Sequence, residues 1–280
     1  MKKITLLFIL STSYIFSNIN AVVSILPQEI FLKAIGGDKV NVSLMVQPGN
    51  SPHTYEPKPS QMVAISKADL YFAIDVEFEH VWLPKFKNLN TNLLVVDVAE
   101  GITKMHMESA HNDHSHGHEG EDPHIWTTPA NVKIIAQNIY NALVKQDSNN
   151  TSYFKNNLDT FLTSIEHTDV QIKKILSTLK NSRAFMVFHP SWGYFAKAYN
   201  LKQIAVEVEG KSPKPKELVQ LIKEARKEKV KAIFTQPEFS DASAKIIANE
   251  LKIPVIKVSP MAAKWSENLL SIANAIAGKR

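Results

Sequence analysis

Between Phe154 and Leu179 apolar residues recur at spacings of three and four, through Phe154, Leu158, Phe161, Leu162, Ile165, Ile172, Ile175, Leu176 and Leu179, and no glycine or proline interrupts them. That spacing predicts one amphipathic helix, about 40 Å long at 1.5 Å per residue. The gap between Ile165 and Ile172 and the small number of heptads argue against a coiled coil. A rigid helix of this length divides the chain. The expected organisation is a leader over 1–21, an N-terminal lobe over 22–149, a linking helix over 150–180 and a C-terminal lobe over 181–280.

Both flanking regions read as α/β. Val22 to Leu26, Val40 to Val46, Leu70 to Ile74 and Leu93 to Val98 are short apolar runs rich in β-branched residues, as are Ala184 to Phe188, Gln203 to Val208, Val230 to Thr235 and Ile253 to Val258. Helical patterns separate them: Gln28 to Ile35, Ser60 to Ala68, Glu77 to Trp82 and Pro129 to Lys145 in the first half, then Gly193 to Tyr199, Lys216 to Lys227, Ser243 to Leu251 and Ser266 to Ala277. Strand alternating with helix predicts two four-stranded parallel sheets. Gly36-Gly37-Asp38 is a turn and not a phosphate loop, because no glycine-rich fingerprint follows a strand.

The N-terminus has the form of an export signal: Lys2 and Lys3, an apolar run from Ile4 to Leu10, and small residues leading to a cut near Ala21. Ser11, Thr12, Ser13, Ser17 and Asn18 break the run well short of the roughly 20 apolar residues of a membrane span. The chain has no cysteine, which excludes thiolate metal sites, disulfides and a cysteine-borne lipid anchor. A soluble, monomeric protein of a periplasm is therefore expected. The formal charge of +5 loses two units with Lys2 and Lys3, and no basic patch interleaved with aromatics points to nucleic acid.

Six of the ten histidines lie between His106 and His124, five of them in a tract over 106–121 that is too polar to form a core. It reads as a solvated arm that collects metal. His124 closes the tract inside Asp122-Pro123-His124-Ile125-Trp126, where Ile125 and Trp126 can anchor the backbone. In parallel sheets, ligands bind beyond the carboxyl ends of strands. His53, His124 and His189 all fall in strand-to-helix loops at such ends, so a cleft between the lobes can gather three imidazoles. His80 and His167 lie on helical patterns and are set aside, and Glu56 and Glu79 read as structural or solvated.

Four segments in order resemble the metal-binding proteins of bacterial zinc and manganese ABC importers, above all the zinc-binding, ZnuA-type members. They are Pro52-His53-Thr54-Tyr55-Glu56-Pro57-Lys58-Pro59-Ser60, Asp122 to Trp126, Phe188-His189-Pro190-Ser191-Trp192-Gly193-Tyr194-Phe195, and Val206-Glu207-Val208-Glu209-Gly210 to Pro213. The resemblance implies two Rossmann-like lobes, one Zn2+ held by His53, His124 and His189, and delivery to a membrane permease driven by a cytoplasmic ATPase. Where the family commonly has an aspartate after the last strand, this chain has Ser259. A serine hydroxyl is a poor zinc ligand, so the fourth position falls to water, Glu207, Glu209 or a histidine of the tract.

Three imidazoles suit zinc better than manganese, and they bind it only when neutral, so affinity should fall in acid. A stiff linking helix implies small lobe movements, with release through local shifts around His124 or His189. Manganese or broad divalent-metal binding, or a metal buffer or adhesin, are the alternatives. A zinc hydrolase is the rival from another class, since three histidines and water also form a hydrolytic zinc shell. Against it stand the lack of a His-Glu-x-x-His helix and the short loops at the sheet edges.

Overall fold

Both sheets form, each four-stranded and wholly parallel, in a computed structural model that describes residues 18–107, 120–179, 182–207 and 211–279. The first half runs β1 (Ile19–Val23), α1 (Leu26–Gly36), β2 (Val40–Leu44), α2 (Pro59–Ser66), β3 (Leu70–Ala73), α3 (Glu77–Leu89), β4 (Leu94–Asp97) and α4 (Pro129–Gln146). After α5 (Thr151–Leu176) come β5 (Ala184–Val187), α6 (Gly193–Ala198), β6 (Lys202–Ala205), α7 (Pro215–Lys227), β7 (Ile233–Thr235), α8 (Ala242–Leu251), β8 (Val255–Lys257) and α9 (Trp265–Ile276). The strand orders, β2-β1-β3-β4 and β6-β5-β7-β8, are the same topology twice. Inner strands β3 and β5 are buried at every residue, whereas edge strand β4 is half exposed. That is the signature of parallel sheets covered on both faces.

Side chains alternate across the second sheet with period two. Phe185, Val187 and Phe234 point into a large core shared with the first half. Ala184, Met186, Phe188 and Ile233 point the other way, onto Leu221 and Ala225 of α7 and Ala244 and Ile247 of α8. The linking helix α5 is 26 residues long and buries the stripe Phe154, Leu158, Ile165, Ile172 and Leu176. It is more than a strut, because it packs against α1, α4 and α9 along that stripe. Phe31 of α1 meets Phe161 of α5 at 5.6 Å and Trp265 of α9 edge-on at 5.7 Å. Turning one lobe against the other would tear this seam, and each large side chain pulled from it costs about 3–5 kcal/mol.

Two local readings change. Helix α3 continues through Pro84 to Leu89. A proline inside a helix costs about 3 kcal/mol, which the packing of Phe86 against Tyr71, Phe78 and Trp82 offsets. Strand β1 begins at Ile19, three residues before the expected strand. Ile19, Asn20 and Ala21 pair with Val40, Asn41 and Val42, so the expected cut near Ala21 falls within the sheet. Most of the expected leader, residues 1–17, lies outside the described residues. Among the described residues no helix is long and apolar enough to cross a membrane.

The topological switch of each sheet lies between its first and third strands, where a crevice opens at their carboxyl ends. In the first sheet that crevice is filled. The carboxylate of Glu79, 1% exposed, accepts from the Ser24 hydroxyl, from the Ile74 amide at 3.0 Å and from the Asp75 amide at 2.7 Å. Burial pushes this carboxyl up to about 7, against the lowering effect of those donors. Asp75 takes a left-handed φ of 67° to present its amide. Of the two expectations for Glu79, structural or solvated, the first is the one the structure shows, and it locks the ends of β1 and β3 together.

Candidate metal centre

The loop after β2 carries His53 and is organised by one side chain. Gln61 donates to the Leu44 and Met45 carbonyls at 2.9 and 2.6 Å and accepts from the Lys58 amide at 2.8 Å and the Tyr55 hydroxyl at 3.0 Å. The His124 loop is held from both sides. Before it, the ends of the histidine tract close as an antiparallel bridge between His106 and Glu121, and the Asp122 amide donates to Met105 O at 2.7 Å. After it, Trp126 is 1% exposed and its indole donates to Pro260 O at 2.8 Å. Residues 108–119, with His111, His114, His116 and His118, lie outside the described residues, so the collecting arm stays an expectation.

His189 follows β5 directly and is held by the loop after β7. Gln236 accepts from the His189 amide at 3.3 Å and donates to its carbonyl at 2.8 Å, while Phe239 stacks on its ring at 4.9 Å. The three loops bring the three expected histidines together. Ring centroids of His124 and His189 are 5.3 Å apart, and those of His53 and His189 are 5.7 Å apart. A zinc–nitrogen bond of about 2.0–2.1 Å puts two rings on one tetrahedral ion with centroids roughly 5.2 Å apart. Among the described residues no group of three or more His, Cys, Asp or Glu is placed to hold a metal ion as it stands. The His124–His189 separation matches that figure and the His53–His189 separation exceeds it by about half an ångström, so His53 would have to move closer for one ion to take all three rings.

Each ring spends Nδ1 on a carboxylate. His53 Nδ1 meets Glu77 at 2.5 Å, His124 Nδ1 meets Asp122 at 2.8 Å, and His189 Nδ1 meets Glu207 at 2.8 Å. A carboxylate there holds the proton on Nδ1, leaves Nε2 with its lone pair, and makes that nitrogen a better donor. Nε2 of His189 is buried with no hydrogen-bond partner among the described residues, a cost that a bound cation would remove. The cleft is lined by His53, His124, His189, Trp126, Phe239 and Met261 among others, and its volume of about 30 Å³ has room for an ion with a water or two.

Several supporting groups were invisible to sequence reasoning. Asp122 had a local signal, since its carboxylate also accepts from the His124 amide at 2.9 Å in an Asx turn. It also explains Gly193, where an added Cβ would come 2.8 Å from Asp122 Oδ2. Glu77, Gln236, Glu238 and Phe239 had none, because nothing local ties them to a histidine. Glu207, expected as a possible fourth ligand, is already engaged with His189 Nδ1. Glu209 lies outside the described residues. Ser259 bonds to Glu238 and to the Met261 amide. His80 and His167 are exposed and pair with Asp75 and Gln171, away from the cluster.

Known proteins resemble this chain along most of its length. The family described as ZnuA, zinc-uptake complex component A periplasmic, matches residues 21–277. A solved structure titled as the crystal structure of ZnuA superposes with a TM-score of 0.86 at 42% identity, covering 94% of this chain and 99% of that one. A metal ABC transporter substrate-binding lipoprotein of Lactococcus lactis is 29% identical over 84% of this chain and 77% of its own length. The manganese ABC transporter substrate-binding lipoprotein ScaA of Streptococcus gordonii is also 29% identical, over 80% and 73%.

These relatives correct the expected location. They are named lipoproteins, so a free, unanchored periplasmic state does not follow for this chain from its lack of cysteine. The match along nearly the whole described chain decides the family: this protein belongs to the ZnuA family, whose members are metal-binding solute-binding proteins of ABC importers.

Proposed function

We propose that the chain captures a divalent cation, zinc in preference to manganese, through Nε2 of His53, His124 and His189, and delivers it to the permease of an ABC importer driven by a cytoplasmic ATPase. The observation that carries this reading is the common Nδ1–carboxylate pairing of all three imidazoles around one cleft. Three nitrogen donors suit zinc, whereas manganese favours carboxylate and water oxygens. The zinc in the family description supports the same choice, although one relative is named for manganese.

Capture and release differ by residue. The side chains of His124 and His189 are 7% and 9% exposed, whereas that of His53 is 35% exposed. The two buried rings form a fixed seat and His53 is the arm that closes on the ion. Release therefore begins at His53 rather than at the buried pair. Turnover of a substrate is not expected. Glu77, Asp122 and Glu207 each hold an imidazole, so none of these three is free to take a proton from metal-bound water, and the remaining cleft carboxylate, Glu238, is tied to Ser259.

The test is competitive titration of zinc and manganese into the metal-free protein and its His53→Ala, His124→Ala and His189→Ala variants. One zinc site weakened about 10-fold or more by each substitution, a loss of about 1.4 kcal/mol each, and displaced little by manganese, is expected. Undiminished affinity in all three variants would sink the proposal.

A further inference from the structure

The cleft holds one carboxylate that orients no histidine. Glu238 lines it beside His53, His124 and His189, in the loop after β7 that also supplies Gln236 and Phe239. Its recorded partner among the described residues is Ser259, whose hydroxyl donates to Glu238 Oε1 at 3.3 Å. No lysine or arginine lines the cleft, and Glu238 takes part in no ion pair among the described residues; the walls beside it are Phe239, Pro260, Met261 and Trp126. A half-buried carboxylate against apolar walls, facing imidazoles and without a cation, is an unbalanced charge.

Ser259 is itself held firmly. Its hydroxyl accepts from the Met261 amide at 3.1 Å, its carbonyl accepts from Asn268 at 2.9 Å, and the next carbonyl, Pro260, takes the Trp126 indole. A neutral donor at 259 steadies one oxygen of Glu238 and leaves the other without a hydrogen-bond partner among the described residues. A carboxylate at 259 would instead repel it.

We propose that Glu238 is the fourth ligand of the captured ion, positioned by Ser259, so that the donor set is three imidazole nitrogens and one carboxylate oxygen. This rests on the three-histidine reading above. Zinc favours four-coordination, and a nitrogen-rich set with one carboxylate is among its ordinary shells. In this arrangement the carboxylate comes from the loop after β7, which Ser259 ties to the loop after β8. Bound this way the ion needs no water, and the open position that hydrolytic zinc uses is closed.

The experiment combines zinc competition titration with the visible absorption of the Co2+-loaded protein, for the parent, E238Q, S259D, the double variant E238Q/S259D and H189A. Glu238→Gln is expected to weaken zinc about 10-fold or more and to change the cobalt spectrum, since the oxygen donor loses its charge. Ser259→Asp on the E238Q background is expected to restore most of the affinity and a four-coordinate spectrum, by returning a carboxylate from the other loop. Equal melting temperatures of the metal-free variants would show that the loop is intact. Two results overturn the proposal: parent-like zinc affinity in E238Q while H189A is weakened, or a weakened E238Q whose cobalt spectrum is unchanged, which would make Glu238 a distant charge. If H189A also binds like the parent, the three-histidine reading itself fails and Glu238 falls with it.

Discussion

The indole Nε1 of Trp126 donates to the carbonyl oxygen of Pro260 at 2.8 Å, joining the His124 loop of the first half to the loop after β8 in the second. The Trp126 carbonyl in turn accepts from the Trp265 indole at 2.8 Å, and the Trp126 ring lies 5.3 Å from that of His124. Trp126→Phe keeps most of the packing and removes the donor, stranding a buried carbonyl at a cost of about 1–3 kcal/mol. The expected outcome is a loss of that size in urea denaturation of the metal-free protein, together with weaker zinc binding. A variant as stable as the parent would mean that the two halves are held by α5 and α9 alone.

Glu207→Gln tests orientation apart from ligation. The amide can still meet His189 Nδ1 but carries no charge to hold the ring in its donor tautomer. Zinc affinity should fall about 10- to 100-fold, with His53 and His124 still contributing to what binding is left. Isothermal titration would read this directly. A loss under 2-fold would leave the Glu207 pairing a packing detail.

Glu79 makes stability depend on pH in a defined window. Its carboxyl titrates near 7 in the folded chain against an ordinary value of 4.5, so the folded state holds the proton more tightly than the unfolded one. The stabilising effect of that proton is complete below about 4.5 and is lost as pH rises through about 7. Each unit of displacement corresponds to about 1.4 kcal/mol. The parent should therefore lose stability relative to Glu79→Gln between these limits, read by denaturant melts of the metal-free proteins. Parallel profiles for the two would contradict this.

Strand β1 sets where a leader can end. A chain beginning at Asn18 keeps Ile19, which is 6% exposed, and keeps the bonds from the Asn20 amide to the Asp69 carboxylate and from the Asp69 amide to the Asn20 carbonyl, both at 2.8 Å. One beginning at Val22 loses them. Burial of an isoleucine alone contributes about 1.5–3 kcal/mol, so the shorter chain should melt several degrees lower. Thermal melts of metal-free chains beginning at Asn18 and at Val22 check this, and equal melting temperatures would contradict it.

The strand–helix alternation, the linking helix and the three histidines at strand ends were legible because each is a local pattern. Period two or 3.6 is written within ten to thirty residues, and His53, His124 and His189 each follow a strand whose apolar run is plain. Strand β1 was misread by three residues because Ile19-Asn20-Ala21 also fits the small-residue end of a leader. Pro84 hid the second half of α3, since only the aromatic cluster around Phe86 shows why a proline is tolerated there.

Sequence alone therefore determined the class of fold and which three histidines meet at one cleft, because hydrophobic periodicity and residue type act through near neighbours. Tertiary structure decided what those donors face. Glu77 lies 24 residues from His53, and Glu207 lies 18 from His189. Gln236 and Glu238 reach the cleft from a loop some 47 residues beyond His189. Pairings across such separations arise only when parallel strands bring distant loops to one edge and the packing of α5 and α9 sets the two edges face to face.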